Sequence, residues 1–503
     1  MHELINAGSN TAPSGKKNDG AARFQAAMPS NATTLVIIGT YSAAVHLFGV
    51  NSESGIASLG TSTAFGAKQE ALLFVPDPLC NGEANLLAVK NNCACDDNDG
   101  RSDPNCCTAP GALVSARITE EGSITKVGEV EYAGVGPMHM GPIHDQVAIA
   151  DYVGGTAHIY GPIDPITGFI GHKAESATKL SNRSLMHMVT SDPLCKDRRL
   201  LAVDSGYPAV VVIDYQTGDV VGKVDMPESV RRINFHPSLP VAYIMYEAAG
   251  SIGVWTWPRC EEWLDDHGVS PPAEVSRFST MPADPPLPQF EKDKPTSLML
   301  TSNGKYAYTC TRTAFISAPT SVTTAQIGVF RVGDEGLAEP IQWVDTGGSN
   351  TRDCELSTDE SMLFAVDVAA SKFLAYSADP LTGMLTLIGS ADVPHPATIE
   401  QFKLPATCAV GHADHFRHHL ASIVAKAHAH AFVAHAAYVK ASAENPLITV
   451  LVWIALGACC FACCPANLKK TCINLLPDQC TGRRPHGRRV GSLSMPDQVG
   501  SLL

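Results

Sequence analysis

The chain has 503 residues, of which 17% are charged and 45% are hydrophobic, and it contains 41 glycines and 34 prolines. This composition favours many short strands joined by tight turns over long surface helices. The net charge of −14 argues against nucleic acid as a partner, because a phosphate backbone is bound by a basic surface.

The first 32 residues are polar and contain no apolar run. They therefore lack the hydrophobic region that defines a secretory signal peptide. We predict a disordered leader over residues 1–32, with the folded part beginning near residue 33.

An internal repeat follows the leader. Seven segments share one order of features, namely an apolar strand, a turn, a second β-branched strand, a turn rich in Gly and Asp, and a third strand. They begin near Leu35, Leu86, Val147, Leu200, Val241, Tyr306 and Leu363. A shorter strand precedes each repeat after the first, at Ala71–Val75, Met138–Ile143, Met186–Ser191, Arg232–His236, Ser297–Thr301 and Asp353–Ser357, and a seventh short strand, Thr398–Phe402, follows the last repeat.

Four strands repeated seven times at roughly 40–60 residues predict an all-β, seven-bladed β-propeller over residues 33–406. Two packed β-sandwiches are the alternative, which the equal repetition disfavours. The last short strand, Thr398–Phe402, has no following partners, so we expect it to join the strands from Leu35 onward and close the ring.

In the third repeat we place the third strand at residues 168–173. Residues 91–110 and 257–295 are interpreted as insertions, the second as an ordered loop over one face.

The repeat stops beyond residue 404, and residues 407–445 are rich in Ala and His. His415, His418 and His419 have a spacing that places them on one face of a helix and that can hold a metal. Few carboxylates or thiols are present to complete a metal site. A helical stalk without bound metal is therefore the favoured interpretation, and a metal or pH sensor remains the alternative.

Residues 447–464 form a run of eighteen residues without a charge. A bilayer core about 30 Å thick requires ~20 apolar residues in a helix. We predict one transmembrane helix over residues 446–465, followed by a basic, disordered tail over residues 466–503. The membrane is thus an expected partner of the chain.

The topology of this anchor has two interpretations. Basic residues follow the span, which places the tail in the cytoplasm and the propeller outside the cytoplasm. Two glycosylation sequons at Asn31 and Asn182 agree, as do the four cysteines of residues 91–110, which we expect to form disulfides. The absence of a signal peptide favours the alternative, a tail-anchored protein that faces the cytosol.

Ionisable residues recur where the innermost strand of a repeat begins and where the next strand ends. Because these strands are antiparallel, both positions lie at the same mouth of the propeller channel. The residues are Lys90, His139, Asp151, His187, Asp204, Arg231, Arg312, Arg352 and Asp367, with Glu247 directly after its strand. For Asp151, Asp204 and Asp367 we favour a structural role as caps of the following turn.

Several of these positions lie in motifs that resemble a known family. In VRRINFHPSLPVAYIMYE, residues Arg231, Phe235, His236, Tyr243 and Glu247 match the pattern G-P-R-H-x-x-F-H-P…Y-x-x-N-E. Similar matches are GPMH with ADYVGG at His139, MHMV at His187, TCTRT at Arg312 and GGSNTRD at Arg352. The sequence from about residue 33 to 405 thereby resembles the seven-bladed lactonase family, which includes bacterial 6-phosphogluconolactonase and fungal carboxy-cis,cis-muconate cyclase.

The resemblance implies an enzyme that opens or closes an anionic lactone. It implies Glu247, His187, Arg231 and Arg312 as catalytic residues and Arg352 and His139 as substrate-binding residues. The two guanidinium groups can bind a phosphate or carboxylate, and the carboxylate and imidazole can move protons. No metal and no cofactor is required.

Five residues depart from the family pattern, namely Arg232, Tyr246, Ser297, Thr311 and Thr313. These departures leave the substrate open. They also leave open an inactive propeller that binds a ligand or a protein at the membrane surface, which is our alternative function.

Overall fold

The computed structural model describes residues 34–42, 44–65, 68–75, 84–91, 111–118, 123–132, 134–164, 170, 176–195, 199–259, 271–282, 294–313 and 325–402. These residues form seven four-stranded antiparallel sheets, which are the blades of a propeller. The predicted all-β fold is confirmed. The chain divides into residues 1–409 and residues 410–503, and only the first unit contains described residues.

The strands are numbered in chain order, and each blade is listed from the channel outward. Blade 1 consists of β28 (Pro396–Phe402), β1 (Thr34–Thr40), β2 (Val45–Asn51) and β3 (Gly55–Ser62). Blade 2 consists of β4 (Lys68–Val75), β5 (Ala84–Asn91), β6 (Ala112–Ile118) and β7 (Ile124–Glu131). Blade 3 consists of β8 (Pro137–Ile143), β9 (Gln146–Asp151), β10 (Thr156–Tyr160) and β11 (Ser176–Thr178). Blade 4 consists of β12 (Met186–Ser191), β13 (Arg199–Asp204), β14 (Ala209–Asp214) and β15 (Val220–Asp225).

The remaining blades follow the same order. Blade 5 consists of β16 (Val230–Phe235), β17 (Val241–Tyr246), β18 (Ser251–Thr256) and β19 (Ala273–Ser279). Blade 6 consists of β20 (Lys294–Leu300), β21 (Tyr306–Arg312), β22 (Gln326–Val332) and β23 (Ala338–Asp345). Blade 7 consists of β24 (Thr351–Leu356), β25 (Met362–Asp367), β26 (Lys372–Ala378) and β27 (Leu385–Asp392).

The hydrophobic core lies between neighbouring blades. The second strand of a blade is covered on both faces, which explains its unbroken apolar sequence: all six residues of β25 are buried. The outermost strands alternate between exposed and partly buried residues, as in β19. Ile38 of blade 1 packs in one cluster with Phe364 and Phe373 of blade 7. Each blade is therefore stabilised by burying apolar surface against two neighbours.

The ring closes where the two ends of the propeller sequence meet. Strand β28 pairs with β1 in antiparallel register, with Ile399 opposite Ile38 and Glu400 opposite Ile37. The predicted closure is confirmed. The first blade thus combines one strand from the end of the propeller sequence with three from its beginning.

Two predicted elements were wrong. The Pro-rich stretch 257–295 contains β19, which pairs with β18 and completes blade 5. Its alternating sequence AEVSRFS is flanked by prolines, which obscured the strand. In blade 3 the fourth strand is β11, and of residues 168–173 the structure describes Ile170, which forms a bridge with Ile163.

Four predicted segments lie outside the described residues. They are the leader, the Cys-rich insertion with Cys93, Cys95, Cys106 and Cys107, the stalk with its histidines, and residues 446–503. Within the described ranges, no helix is long and apolar enough to span a membrane. The membrane anchor and its topology therefore remain predictions.

Candidate functional site

A β-bulge interrupts every innermost strand at the same position. In β16, for example, Val230 pairs with Tyr246 and Arg232 pairs with Met245, so that Arg231 is the extra residue. The seven extra residues are Glu70, Met138, His187, Arg231, Thr296, Arg352 and Ala397. A bulge bends the strand and redirects side chains. Three of the predicted site residues, His187, Arg231 and Arg352, occupy these positions.

A second recurring position lies opposite the residue that precedes the bulge. Asp151, Asp204 and Asp367 occupy it in blades 3, 4 and 7, and all three are fully buried. Asp204 Oδ1 accepts hydrogen bonds from the backbone N–H groups of Leu185, at 2.9 Å, and Tyr207, at 2.9 Å. The expected structural role of these carboxylates is confirmed.

The next residue in the sequence after this second position carries a functional group in three blades. These residues are Tyr152 in blade 3, Glu247 in blade 5 and Arg312 in blade 6. The propeller symmetry therefore brings these three side chains to the same mouth of the channel as the bulge residues. Residues more than 60 positions apart in the sequence become neighbours in this way.

The arginine–glutamate cluster, defined as His187, Arg231, Glu247 and Arg312, lies at this mouth. Arg231 Nη1 is 3.3 Å from Glu247 Oε1, and Arg312 Nη2 donates a hydrogen bond to the same oxygen. Arg231 Nη1 is 2.8 Å from His187 Nε2, and Arg231 Nε donates to the carbonyl oxygen of Thr296 at 3.2 Å. All four predicted catalytic residues are thus joined in one network.

The network determines which groups carry charge. Burial alone would raise the pKa of Glu247, but the charges of Arg231 and Arg312 outweigh burial and hold that pKa well below its usual value. Burial, reinforced by the charge of Arg231, lowers the pKa of His187 well below 6.5. At neutral pH the cluster therefore contains an ionised carboxylate and a neutral imidazole whose Nε2 accepts a hydrogen bond from Arg231.

Tyr152 is a site residue that the sequence analysis missed. Its ring centroid lies 5.5 Å from that of His187 in an edge-on arrangement, with an interplanar angle of 79°. Burial, reinforced by the charge of Glu247, raises the pKa of its hydroxyl, which stays a hydrogen-bond donor at neutral pH. Its place in the repeat could have identified it. Tyr152 directly follows Asp151, the last residue of β9, just as Glu247 directly follows Tyr246, the last residue of β17.

The two predicted substrate-binding residues lie beside the cluster. Arg352 Nη2 is 3.2 Å from Met138 Sδ, and its guanidinium carbon lies 5.8 Å from the ring centroid of Tyr41. His139 lines the channel with Arg352, Arg231 and His187. Burial, with the charge of Arg232, lowers the pKa of His139 to about 3, so this imidazole is neutral.

Asp353 joins the innermost strands of four blades beneath the mouth. Its Oδ1 accepts hydrogen bonds from Arg232 Nη2, at 3.2 Å, and from Ser297 Oγ, at 2.9 Å. Its Oδ2 accepts from Thr398 Oγ1, at 3.3 Å, and from the N–H of Ile399, at 3.2 Å. Two departures from the family pattern, Arg232 and Ser297, are therefore partners of one carboxylate.

A disulfide between Cys310 and Cys354 connects blades 6 and 7. Its two strands, β21 and β24, carry Arg312 and Arg352, each two residues away from the bonded cysteine. The bond therefore restricts the relative movement of two site arginines. The disulfides predicted from the sequence involve the Cys-rich insertion, with Cys80 as a further partner, and do not include this pair.

Positive charge surrounds Glu247 at the mouth. The cationic side chains described around this carboxylate are those of Arg231, Arg312, Arg352 and Lys294. Guanidinium groups bind phosphate and carboxylate with paired hydrogen bonds. One carboxylate among four cations is a poor donor set for a metal ion, which prefers several anionic oxygens. The arrangement suits an anionic ligand.

Comparison with solved structures agrees with this fold. A candidate 6-phosphogluconolactonase from Bacteroides fragilis superimposes with a TM-score of 0.59 at 16% identity, covering 75% of this chain and 100% of the other. One from Bacteroides uniformis gives 0.58 at 17% identity, covering 74% and 100%. The periplasmic gluconolactonase of Pseudomonas aeruginosa gives 0.57 at 17% identity, covering 74% and 100%. At these identities the likeness establishes the fold alone.

Comparison with curated proteins gives no match. A family model described as lactonase, 7-bladed beta-propeller, matches residues 96–401, which is more than half of the chain. This match includes the arginine–glutamate cluster, Arg352 and His139. The protein therefore belongs to the seven-bladed β-propeller lactonase family.

Proposed function

We propose that this protein hydrolyses an anionic lactone at the channel mouth. The observation that carries the proposal is the convergence of Arg231 and Arg312, from neighbouring blades, on one oxygen of Glu247. The positive charge around Glu247 supports a phosphorylated or carboxylated substrate. The similar structures named above are described as gluconolactonases, which favours hydrolysis over muconate-type ring closure.

The chemistry assigns a role to each member of the cluster. A water molecule attacks the lactone carbonyl carbon and its proton passes to Glu247. The bond between the carbonyl carbon and the ring oxygen then breaks, and protonated Glu247 returns the proton to the ring oxygen, which leaves as a hydroxyl group. The guanidinium groups stabilise the negative charge that develops on the carbonyl oxygen. His187 Nε2 faces Arg231, so we assign His187 the role of orienting that guanidinium, with Tyr152 packed edge-on against its ring.

Binding of the anion is expected to activate Glu247. In the free site two arginines lower its pKa, and a carboxylate with a low pKa is a weak base. When a substrate anion and the developing oxyanion accept hydrogen bonds from the guanidinium groups, these groups interact less strongly with Glu247. The pKa of Glu247 then rises toward its usual value. The anionic group of the substrate thereby contributes to catalysis as well as to binding.

Arg312→Ala tests the anion requirement. This substitution is expected to raise KM for a phosphorylated or carboxylated lactone by roughly tenfold to a hundredfold, because a hydrogen bond to a charged group contributes about 1.5–3 kcal/mol. KM for an uncharged lactone should change far less. Steady-state kinetics on matched charged and uncharged lactones measure both values.

The matched control is Arg331→Ala, which removes an exposed arginine on β22. It should leave both KM values unchanged. An equal effect of Arg312→Ala on charged and uncharged lactones would show that Arg312 does not bind the anion.

The pH dependence of hydrolysis gives a separate test. An ordinary histidine base would lose activity as the pH falls below about 6.5. Because the pKa of Glu247 is lowered from its usual value and that of His187 is lowered well below 6.5, neither group changes its protonation near pH 6.5. We expect kcat/KM, which is determined by the protonation state of the free enzyme, to show no decline centred near pH 6.5. A carboxylated lactone is the appropriate substrate, because a phosphate ionises near pH 6. A decline centred near pH 6.5 would contradict the assignment.

A further inference from the structure

Disulfide bonds lie within the body of the propeller. The buried residues Cys310 and Cys354 join strands β21 and β24 of blades 6 and 7. Cys195, which lies between β12 and β13 of blade 4, is also buried and disulfide-bonded. Disulfide bonds form and persist in oxidising compartments, whereas the cytosol keeps thiols reduced. These bonds therefore favour an oxidising compartment as the place where the propeller folds.

One glycosylation sequon lies within the described residues. It consists of Asn182, Arg183 and Ser184, in the segment between β11 and β12, whereas Asn31 of the other sequon lies outside the described residues. Asn182 and Arg183 form the exposed tip of a turn. An Asn-x-Ser sequence in a surface turn is the acceptor for N-linked oligosaccharide in proteins that fold in the secretory pathway. The sequon and the disulfides thus indicate the same kind of compartment.

The conformation of the turn leaves room for a large group on Asn182. Ser184 Oγ accepts a hydrogen bond from the N–H of Ser181 at 3.0 Å, and the N–H of Ser184 donates to the carbonyl oxygen of Ser181 at 3.2 Å. Ser184 is thereby buried, while Asn182 is exposed. Because oligosaccharide is transferred before the turn has folded, burial of Ser184 does not hinder the transfer. The folded propeller then carries the bulky group in solvent without rearrangement.

The turn lies on the mouth side of the propeller. A Cβ atom added at Gly155 would overlap the carbonyl oxygen of Ser184, and one added at Gly206 would overlap that of Arg183. These two glycines lie in the loops that follow β9 and β13, at the end of each blade where the site residues converge. The backbone of the turn therefore packs directly on the mouth loops of blades 3 and 4. A group attached to Asn182 stands at the rim of the mouth.

We propose that Asn182 carries an N-linked oligosaccharide at this rim. In the transfer, the side-chain nitrogen of Asn182 forms a bond with C1 of the first sugar of a lipid-linked oligosaccharide diphosphate. The bond between C1 and the diphosphate oxygen breaks, the lipid diphosphate leaves as an anion, and the amide nitrogen loses one proton to a base of the transferase. The proposal goes beyond the proposed hydrolysis and does not depend on it.

A glycan at this position has a consequence for the mouth. A hydrated oligosaccharide keeps the rim over blades 3 and 4 in solvent and prevents another protein from packing closely against it. A small lactone can still reach the channel, because the glycan is attached at the rim and projects from an exposed turn. The modification therefore permits a small-molecule ligand at the mouth and disfavours a protein partner there.

The test is peptide mass mapping, under non-reducing conditions, of the full-length protein isolated from the cells that produce it naturally. The peptide with Asn182 is expected to carry a mass of hexose and N-acetylhexosamine units that peptide N-glycosidase removes. The peptides with Cys310 and Cys354 are expected to be linked. Asn182 without a glycan would overturn the proposal, whether or not these two cysteines are linked.

Variants produced in the same cells assign the glycan to this position. Asn182→Gln should lose the mobility difference of one glycan in denaturing gel electrophoresis, because glutamine is not an acceptor. Its fold, followed by circular dichroism, should stay unchanged, since the side chain is exposed. Arg183→Ala and Ser184→Thr keep an acceptor sequon and should retain the glycan. Equal mobility of Asn182→Gln and the wild type would contradict the proposal.

Discussion

Glu247→Gln is expected to reduce kcat/KM for an anionic lactone by about 10²–10⁴-fold, the usual contribution of a general base. The amide has nearly the same shape as the carboxylate but cannot take a proton from water. It also removes the negative charge between Arg231 and Arg312, so these guanidinium groups lose their shared partner. A buried charge that loses its partner is destabilising. The thermal unfolding midpoint of the variant should therefore fall, and activity is measured well below that midpoint.

Two controls make this result specific. Glu247→Asp keeps the negative charge but shortens the side chain by one methylene group, which moves the carboxylate away from the two arginines. We therefore expect partial activity and a smaller loss of stability. Glu335→Gln removes an exposed carboxylate and should change neither quantity. A folded Glu247→Gln variant that hydrolyses the lactone at the wild-type rate would contradict the role of Glu247. A wild-type protein that hydrolyses no anionic lactone would favour the alternative of a ligand-binding propeller.

Ending the chain at residue 395 is expected to abolish cooperative folding of the propeller. The truncation removes β28, which pairs with β1 and contributes Phe402 and Ile399 to two hydrophobic clusters between blades. It also removes the Thr398 and Ile399 hydrogen bonds to Asp353. The open ring would expose an unpaired strand edge at β1, which promotes association between chains.

The control for this truncation is a chain that ends at residue 406, which lacks the same C-terminal segment but keeps β28. Urea unfolding followed by near-ultraviolet circular dichroism, together with size-exclusion chromatography, compares the two chains. The longer chain should unfold in one transition, and the shorter chain should aggregate or lack a transition. Equal unfolding midpoints would show that closure by β28 contributes nothing to stability.

The repeated pattern of strands was sufficient to predict the fold, and the resemblance of individual motifs to a family indicated the members of the cluster. Strands of unbroken apolar sequence, such as β25, recur with turns between them, and this recurrence predicts blades without knowledge of their contacts. The ring closure followed from a single unpaired segment at Thr398–Phe402. Arg231 and Glu247 could be identified because they occupy motifs, and the structure joins them through a shared network.

Other features depend on contacts that sequence patterns do not contain. The Cys310–Cys354 disulfide joins residues 44 positions apart, and their separation gives no sign of which cysteines pair. The hydrogen bonds of Arg232 and Ser297 to Asp353 arise only when three blades meet around the channel. Proline residues on either side of β19 obscured a strand whose alternation is regular.

The bulge in each innermost strand has a consequence for how such a site changes during evolution. A bulge residue lies outside the regular cross-strand pairing, so its side chain can be exchanged without disturbing the register of its blade. The propeller thus offers seven interchangeable positions around one mouth, and His187, Arg231 and Arg352 occupy three of them. Met138 and Ala397 occupy two others and carry no ionisable group. Substitution of Met138 or Ala397 by a polar residue is therefore expected to change ligand preference at the mouth while the register of the blades stays unchanged.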